Sequence, residues 1–212
     1  MASPAVRSLA FIGLLGLVAI QDVPATPESE LERFFEQTQS LTAFFQQEVW
    51  SADGELLSSG HGDMSLLRPN FMRWNYREPE PLILVSDGVN FWSYDPILEQ
   101  ATVARVEDAL NDTPLSALLG SRVLEDLFTV KRTQHQDGID WVVLQSQAGA
   151  ARPVELLIGL RSGTLERLHF VDQFGQEVQV RFEQVQVNPP LQPEFFSYQP
   201  PRGTDILGTP TQ

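Results

Sequence analysis

Residues 71–106 read FMRWNYREPEPLILVSDGVNFWSYDPILEQATVARV. Four short runs of aromatic and β-branched residues, Phe71 to Tyr76, Leu82 to Ser86, Asn90 to Tyr94 and Gln100 to Val106, are punctuated by Asp87 with Gly88 and by Asp95 with Pro96. Runs of this length between turn residues predict strands. Strands joined this tightly pair antiparallel, because parallel partners need a long crossover. The stretch therefore predicts a β-meander.

The same pattern extends in both directions along the chain. Upstream, Glu55 to Leu66 reads as a strand, and from Leu41 to Trp50 the residues Phe45, Gln47 and Val49 alternate with Phe44, Gln46 and Glu48 up to a turn at Asp53 and Gly54. Before these, Pro27 at a first helical position, Ser29 three residues ahead of Glu32, and Leu31, Phe34, Phe35 and Thr38 on one face predict an amphipathic helix. Downstream, strands are expected near Phe128 to Gln134, Ile139 to Gln147, Val154 to Leu160, Leu165 to Val171 and Gln176 to Val187, ending at Phe195 to Tyr198. Within the longest of these, Val178, Val180 and Phe182 share one parity while Val185 and Val187 take the other, which places a bulge at Glu183 and Gln184. Such bending in one long meander points to a barrel or half-barrel.

The meander is interrupted once. Thr113 and Pro114 open a helix of Leu115, Ser116, Ala117, Leu118 and Leu119 that ends at Gly120, and Ser121 caps a second short segment, Val123 to Leu127. Helices this short take their stability from whatever their leucines touch. Beside a curved sheet, such a pair reads as a lid.

Leu9 to Ile20 form an apolar run after Arg7, and Val23 and Ala25 supply small residues before Thr26. This is the pattern of a signal peptide, residues 1–25, preceding a single domain, residues 26–212. The run is too short for a membrane-spanning helix. Cysteine is absent, which removes disulfides, thiol catalysis and the cysteine that bacterial lipid anchoring requires. A net charge of −14 argues against nucleic acid and anionic bilayers as partners.

Motifs for catalysis are missing: there is no nucleophile elbow, paired-histidine zinc motif or phosphate loop. His61, His135 and His169 fall on separate strands, so no metal site is expected. Asp87 and Asp95 could form an acid and base pair, but Asp-Gly and Asp-Pro contexts are those of side chains bonded to nearby backbone amides. Met72, Trp74 and Tyr76 share one strand face, Trp92 and Tyr94 share another, and Phe45, Val49, Leu84, Val142 and Leu144 could converge with them. From the residues alone this stripe is either a packed core or the lining of an apolar cavity.

One order of residues is more specific. Arg68, Pro69, Asn70, then Trp74 and Tyr76, then Val85, Ser86, Asp87 and Gly88, then Trp92, Tyr94, Asp95, Pro96, Glu99 and Gln100 resemble the outer-membrane lipoprotein carrier family, LolA. The resemblance returns at Phe196, Tyr198, Pro200, Pro201 and Gly203, and departs at Leu67, where the family commonly has lysine, and at Met72, where an aromatic is usual. It implies a mainly β fold: a single unclosed antiparallel half-barrel of about eleven strands, with short helices as a lid over an apolar cavity. Arg68 would be the latch of that lid, and Phe35, Phe45, Val49, Met72, Trp74, Leu84, Trp92, Leu115, Leu118 and Leu119 would line the acyl cavity. The implied activity is that of a monomeric, non-enzymatic chaperone of the Gram-negative periplasm, needing no cofactor. It would take triacylated lipoproteins from an inner-membrane ABC-type release complex to an outer-membrane receptor. Two rivals are a periplasmic lipid or lipoprotein sensor of the same fold and a carboxylate-based hydrolase.

Overall fold

The computed structural model describes residues 25–110, 114–120, 126, 128–147, 155–172 and 174–211. Six strands form a first meander: β1 (Ser40–Trp50), β2 (Leu56–Leu67), β3 (Phe71–Glu78), β4 (Leu82–Asp87), β5 (Asn90–Asp95) and β6 (Gln100–Arg105). Five form a second: β7 (Phe128–Gln136), β8 (Ile139–Ser146), β9 (Glu155–Arg161), β10 (Thr164–Val171) and β11 (Glu177–Val187). Pairing of β1 with β11 joins the two meanders into one sheet. A short last strand, β12 (Asp205–Leu207), lies beyond β6, so β12 and β7 are the two edges and the half-barrel stays open.

This order makes a lid unavoidable. The chain leaves β6 near one edge and re-enters at β7 on the other, so the residues between them must cross the sheet. Helices α2 (Val106–Leu110) and α3 (Pro114–Leu119) lie in that crossing. Helix α1 (Pro27–Gln37), ahead of β1, packs against β7, β8 and β9. It starts with Thr26 as cap, Pro27 in the first turn, and reciprocal Thr26 and Ser29 bonds that close a capping box one turn ahead of Glu32. Leu31 and Phe34 of α1, Val106 and Leu110 of α2, and Leu118 and Leu119 of α3 join Phe45, Met72, Trp74, Leu144, Ile158 and Phe182 of the sheet in one core.

The expected bulge is present. The register of β1 on β11 jumps between Thr42↔Gln186 and Phe44↔Glu183, and Gln184 carries a positive φ of 51°. Another irregularity has a glycine as its cause. At Gly62 a Cβ would fall 1.8 Å from the Asn75 carbonyl oxygen and 3.0 Å from the Phe45 ring, so β2 and β3 approach there as only glycine allows.

The C-terminal part departs from expectation. Phe195 to Tyr198 is not a strand: Pro193–Phe196 forms a 3-10 turn, since Pro189, Pro190 and Pro193 lack the amides a ladder needs. The chain then crosses the outer face of the sheet and ends in β12, which pairs parallel with β6. The connection between these parallel partners is everything from α2 to the C-terminal segment, far longer than the crossover parallel pairing demands. The strand expected over Gln100 to Val106 stops at Arg105, because Val106 begins α2. The leader up to residue 24 and the segment expected over Val123 to Leu127, apart from Asp126, lie outside the described residues.

Candidate functional site: the Arg68 clasp and the inner face

Arg68 follows β2, and its backbone amide donates to Gln39 O at 2.8 Å, which fixes the side chain beside the C-terminal end of α1. Its Nε donates to Leu118 O at 2.9 Å, and its Nη1 donates to Phe35 O at 2.8 Å and to Thr38 O at 2.9 Å. Helix ends leave carbonyls without intrahelical partners, and a guanidinium with five donors can serve several together. Neither α1 nor α3 has a basic residue in its last turn, so Arg68 also brings to both the positive charge that helix C-termini favour. The guanidinium carbon lies 4.7 Å from the Phe35 ring centre and 5.6 Å from that of Phe34. Burial pulls the Arg68 pKa down to about 10, so the group stays charged at neutral pH but at a cost. Its Nη2 is buried without a hydrogen-bond partner among the described residues. The clasp thus joins hydrogen bonds to the ends of two helices with a poorly solvated ion.

Two more residues complete this clasp, one read from the sequence only within the family resemblance, Asn70, and the other only as the end of the leucine helix, Gly120. Asn70, at a positive φ of 69°, donates its backbone amide to Leu119 O at 3.3 Å, and Ser86 Oγ donates to Asn70 O. Gly120, at φ 61°, turns the chain away after α3, and a Cβ there would lie 2.9 Å from Arg68 Cδ. The signal for Gly120 is its place directly after a leucine helix, where a left-handed glycine commonly ends the last turn. Asn70 has no comparable signal, because its partner is a long-range carbonyl.

Of the residues expected to line the cavity, Phe45, Met72, Trp74, Leu118 and Leu119 are buried in the common core, and Phe35, Val49 and Leu84 pack against it half-buried. The side chain of Leu115 lies outside the described residues. Trp92 requires correction. The register Arg73↔Val85↔Trp92↔Val103 sets it on the outer face, with Tyr94, Ala101 and Tyr198, whereas Trp74↔Leu84 belongs to the inner one. Its neighbour Phe91 faces inward instead. Alternation separates Phe91 from Trp92 but does not say which is inside when both faces are covered.

A small polar cluster interrupts this apolar face. Tyr76 Oη donates to Gln47 Oε1 at 3.0 Å, while the Phe45 ring centre lies 4.6 Å from Trp74 and 5.0 Å from Tyr76. Burial pushes the Tyr76 pKa up to about 12, against smaller lowering contributions from Gln47 and Trp74. The Trp74 indole N–H is buried and, beyond this weak approach to Tyr76, completes no hydrogen bond among the described residues.

The residues weighed for other chemistry do not converge. Asp87 Oδ1 accepts from the amides of Val89 and Asn90, and Asp95 Oδ1 from those of Ile97 and Leu98, at opposite ends of β5. Both are turn-forming carboxylates. His135 pairs with Asp140 at 2.8 Å, His61 lies 3.9 Å from Glu78, and His169 stacks near Trp141.

The family of outer membrane lipoprotein carrier proteins, LolA, matches residues 36–199. The chain belongs to the LolA family. A relative from Dechloromonas aromatica, named outer-membrane lipoprotein carrier protein, is 34% identical over 179 residues, 84% of this chain and 86% of its own. One of the same name from Methylococcus capsulatus is 34% identical over 206 residues, 96% and 98% of the two chains. A crystal structure of an uncharacterized conserved protein from Thermus thermophilus superposes with a TM-score of 0.50 at 13% identity, covering 85% of this chain and 96% of that one, and shows a shared fold. The LolA match contains Arg68 and α3 and ends before β12.

Proposed function

We infer that this LolA-family protein is a periplasmic lipoprotein carrier, and that the structure is its closed form. The observation that carries the reading is a lid held over an apolar sheet face by one arginine whose hydrogen bonds run to backbone carbonyls at the ends of two helices. The relatives' name, outer-membrane lipoprotein carrier protein, supports the cargo. Each buried methylene contributes about 0.8 kcal/mol, so an acyl chain of about fifteen carbons holds on to an apolar site by about 12 kcal/mol. Such a chain does not cross water unaided. A carrier must offer it an apolar face and must cover that face when empty, or the protein would aggregate. In the closed form Phe35, Phe45, Val49, Met72, Trp74, Leu84, Leu118 and Leu119 cover one another; when α3 and α1 part from the sheet, the same residues and Leu115 meet the acyl chains.

On this reading residues 1–25 direct export and are removed, and the mature monomer receives triacylated lipoproteins from an ABC-type release complex of the inner membrane. It passes them to an outer-membrane receptor. The work of extraction is done by the membrane partner, delivery runs downhill, and the carrier itself performs no catalysis and needs no cofactor.

The test is a reconstituted release and transfer assay with Arg68→Leu. The variant should fold but lose about 1–3 kcal/mol, because the carbonyls of Phe35, Thr38 and Leu118 lose their donor while the desolvation relieved offsets only part of that. Handover of lipoprotein should fall at least about tenfold, a change of about 1.4 kcal/mol in the cycle. Wild-type handover by this variant would overturn the role of the clasp.

A further inference from the structure

An acyl chain is attached to its cargo through an ester or amide, and so brings a carbonyl oxygen with it. A purely apolar hollow would strip that oxygen of water and give nothing in return. The inner face of this sheet is not purely apolar. The geometry points to a carbonyl-recognition subsite within it, formed by the indole N–H of Trp74 and the amide hydrogens of Gln47, whose side chain the Tyr76 hydroxyl holds in place, that selects ester- and amide-linked acyl groups over plain hydrocarbon. This subsite rests on the carrier reading and sharpens its substrate class.

Three observations converge on it. Trp74 is 3% exposed, and its N–H completes no hydrogen bond of good geometry among the described residues, making only a weak approach to the Tyr76 hydroxyl that helps lower the tyrosine pKa, so this buried donor is under-used. The nearest polar groups form a pair: Tyr76 donates to Gln47 Oε1, which leaves the Gln47 amide hydrogens directed to other acceptors. All three residues belong to the inner face, with Trp74 between the rings of Phe45, at 4.6 Å, and Phe182, at 6.0 Å. Among the described residues the Trp92 N–H and Tyr198 Oη have no partner either, but they lie on the outer face under the C-terminal segment.

The position suits a head group. Arg68 closes the end of the sheet where β1 begins, whereas Gln47 and Tyr76 lie toward the other end, near the turns after β1 and β3. From Gln47 back to Leu41 the strand runs about 20 Å at the usual rise per residue. Along that length the inward side chains are Leu41, Ala43 and Phe45, all buried and apolar. Carbonyls held at Trp74 and Gln47 would leave the tails to lie along this stretch toward the clasp.

The experiment uses the purified chain and a fluorescent acyl probe displaced by two synthetic lipopeptides of identical peptide and chain lengths. One carries an ester-linked diacylglyceryl group and the other an ether-linked dialkylglyceryl group, which lacks the two carbonyls. Wild type should bind the ester form about tenfold more tightly, or about 1.4 kcal/mol. Within each of Trp74→Phe, Tyr76→Phe and Gln47→Leu the ester-to-ether ratio should shrink, and in the combined variant it should approach one. Gln47 is half-exposed and its replacement is the least demanding on the core, so it decides the matter if the aromatic variants do not fold. Equal wild-type affinity for both lipopeptides, or a ratio that survives all three substitutions, overturns the subsite while leaving the carrier intact. Displacement by neither lipopeptide would sink the carrier reading and the subsite with it.

Discussion

The two faces of the sheet solve the same problem in opposite ways. Each buries a tryptophan whose N–H is unpaired among the described residues, Trp74 inside and Trp92 outside, and each is covered by a crossing segment. Outside, the cover is the C-terminal chain: Phe196 is fully buried with its ring 5.7 Å from Phe71, Tyr198 lies 5.8 Å from Trp92, and β12 adds a backbone ladder to β6. Asn90 ties the far end through Oδ1, which accepts from the Thr211 amide, and Nδ2, which donates to its carbonyl. Inside, the cover is short helices joined to the strand ends by the Arg68 side chain and the Asn70 amide. A cover that is itself part of the sheet is structure. On the carrier reading, a cover held through helix-end carbonyls is the one that opens.

Three substitutions probe that contrast, in order of falling impact. Phe196→Ala should cost about 3–5 kcal/mol of global stability, as deleting a buried aromatic does, and chemical denaturation should show it as one cooperative loss. A lesser loss would mean that the outer cover peels as easily as the inner. Leu118→Glu puts a carboxylate into the inner core, where a lid that can open relieves the cost locally. It should therefore lose less than the about 2–5 kcal/mol typical of disrupting a buried leucine, while raising the binding of an apolar fluorescent dye. Global unfolding of this variant without dye binding by a folded form would make the inner cover as permanent as the outer. Gly120→Ala places a side chain at a left-handed position, worth about 1–2 kcal/mol, and against Arg68 Cδ. Hydrogen exchange should then quicken in α3 and not in β12; equal change in both would erase the distinction.

Much of this is legible in the residues. The meander, its turns and the bulge at Gln184 are local events, written in alternation and in Asp-Gly and Asp-Pro turns. The clasp is legible at one residue, Arg68, and through a resemblance rather than a rule. Asn70 and Phe34 complete it by meeting groups far away in the chain, and nothing near either residue announces that meeting. Sequence reasoning puts Trp92 on the wrong face for a related reason. In β5 the inward Phe91 and the outward Trp92 are both large and apolar, because the C-terminal segment makes the outer face a second core.

Local residue order alone sets that strands follow one another, where they turn and bend, and that a short leucine helix breaks their run. These depend on neighbours within a few positions, where side-chain period and backbone preference act directly. Which face is inner, that three residues at the end form β12 parallel to β6, and that one guanidinium gathers the carbonyls of two helices were decided only in the folded molecule. Burial and the pairing of orphan backbone groups are settled between segments distant in the chain, by what happens to lie across from them.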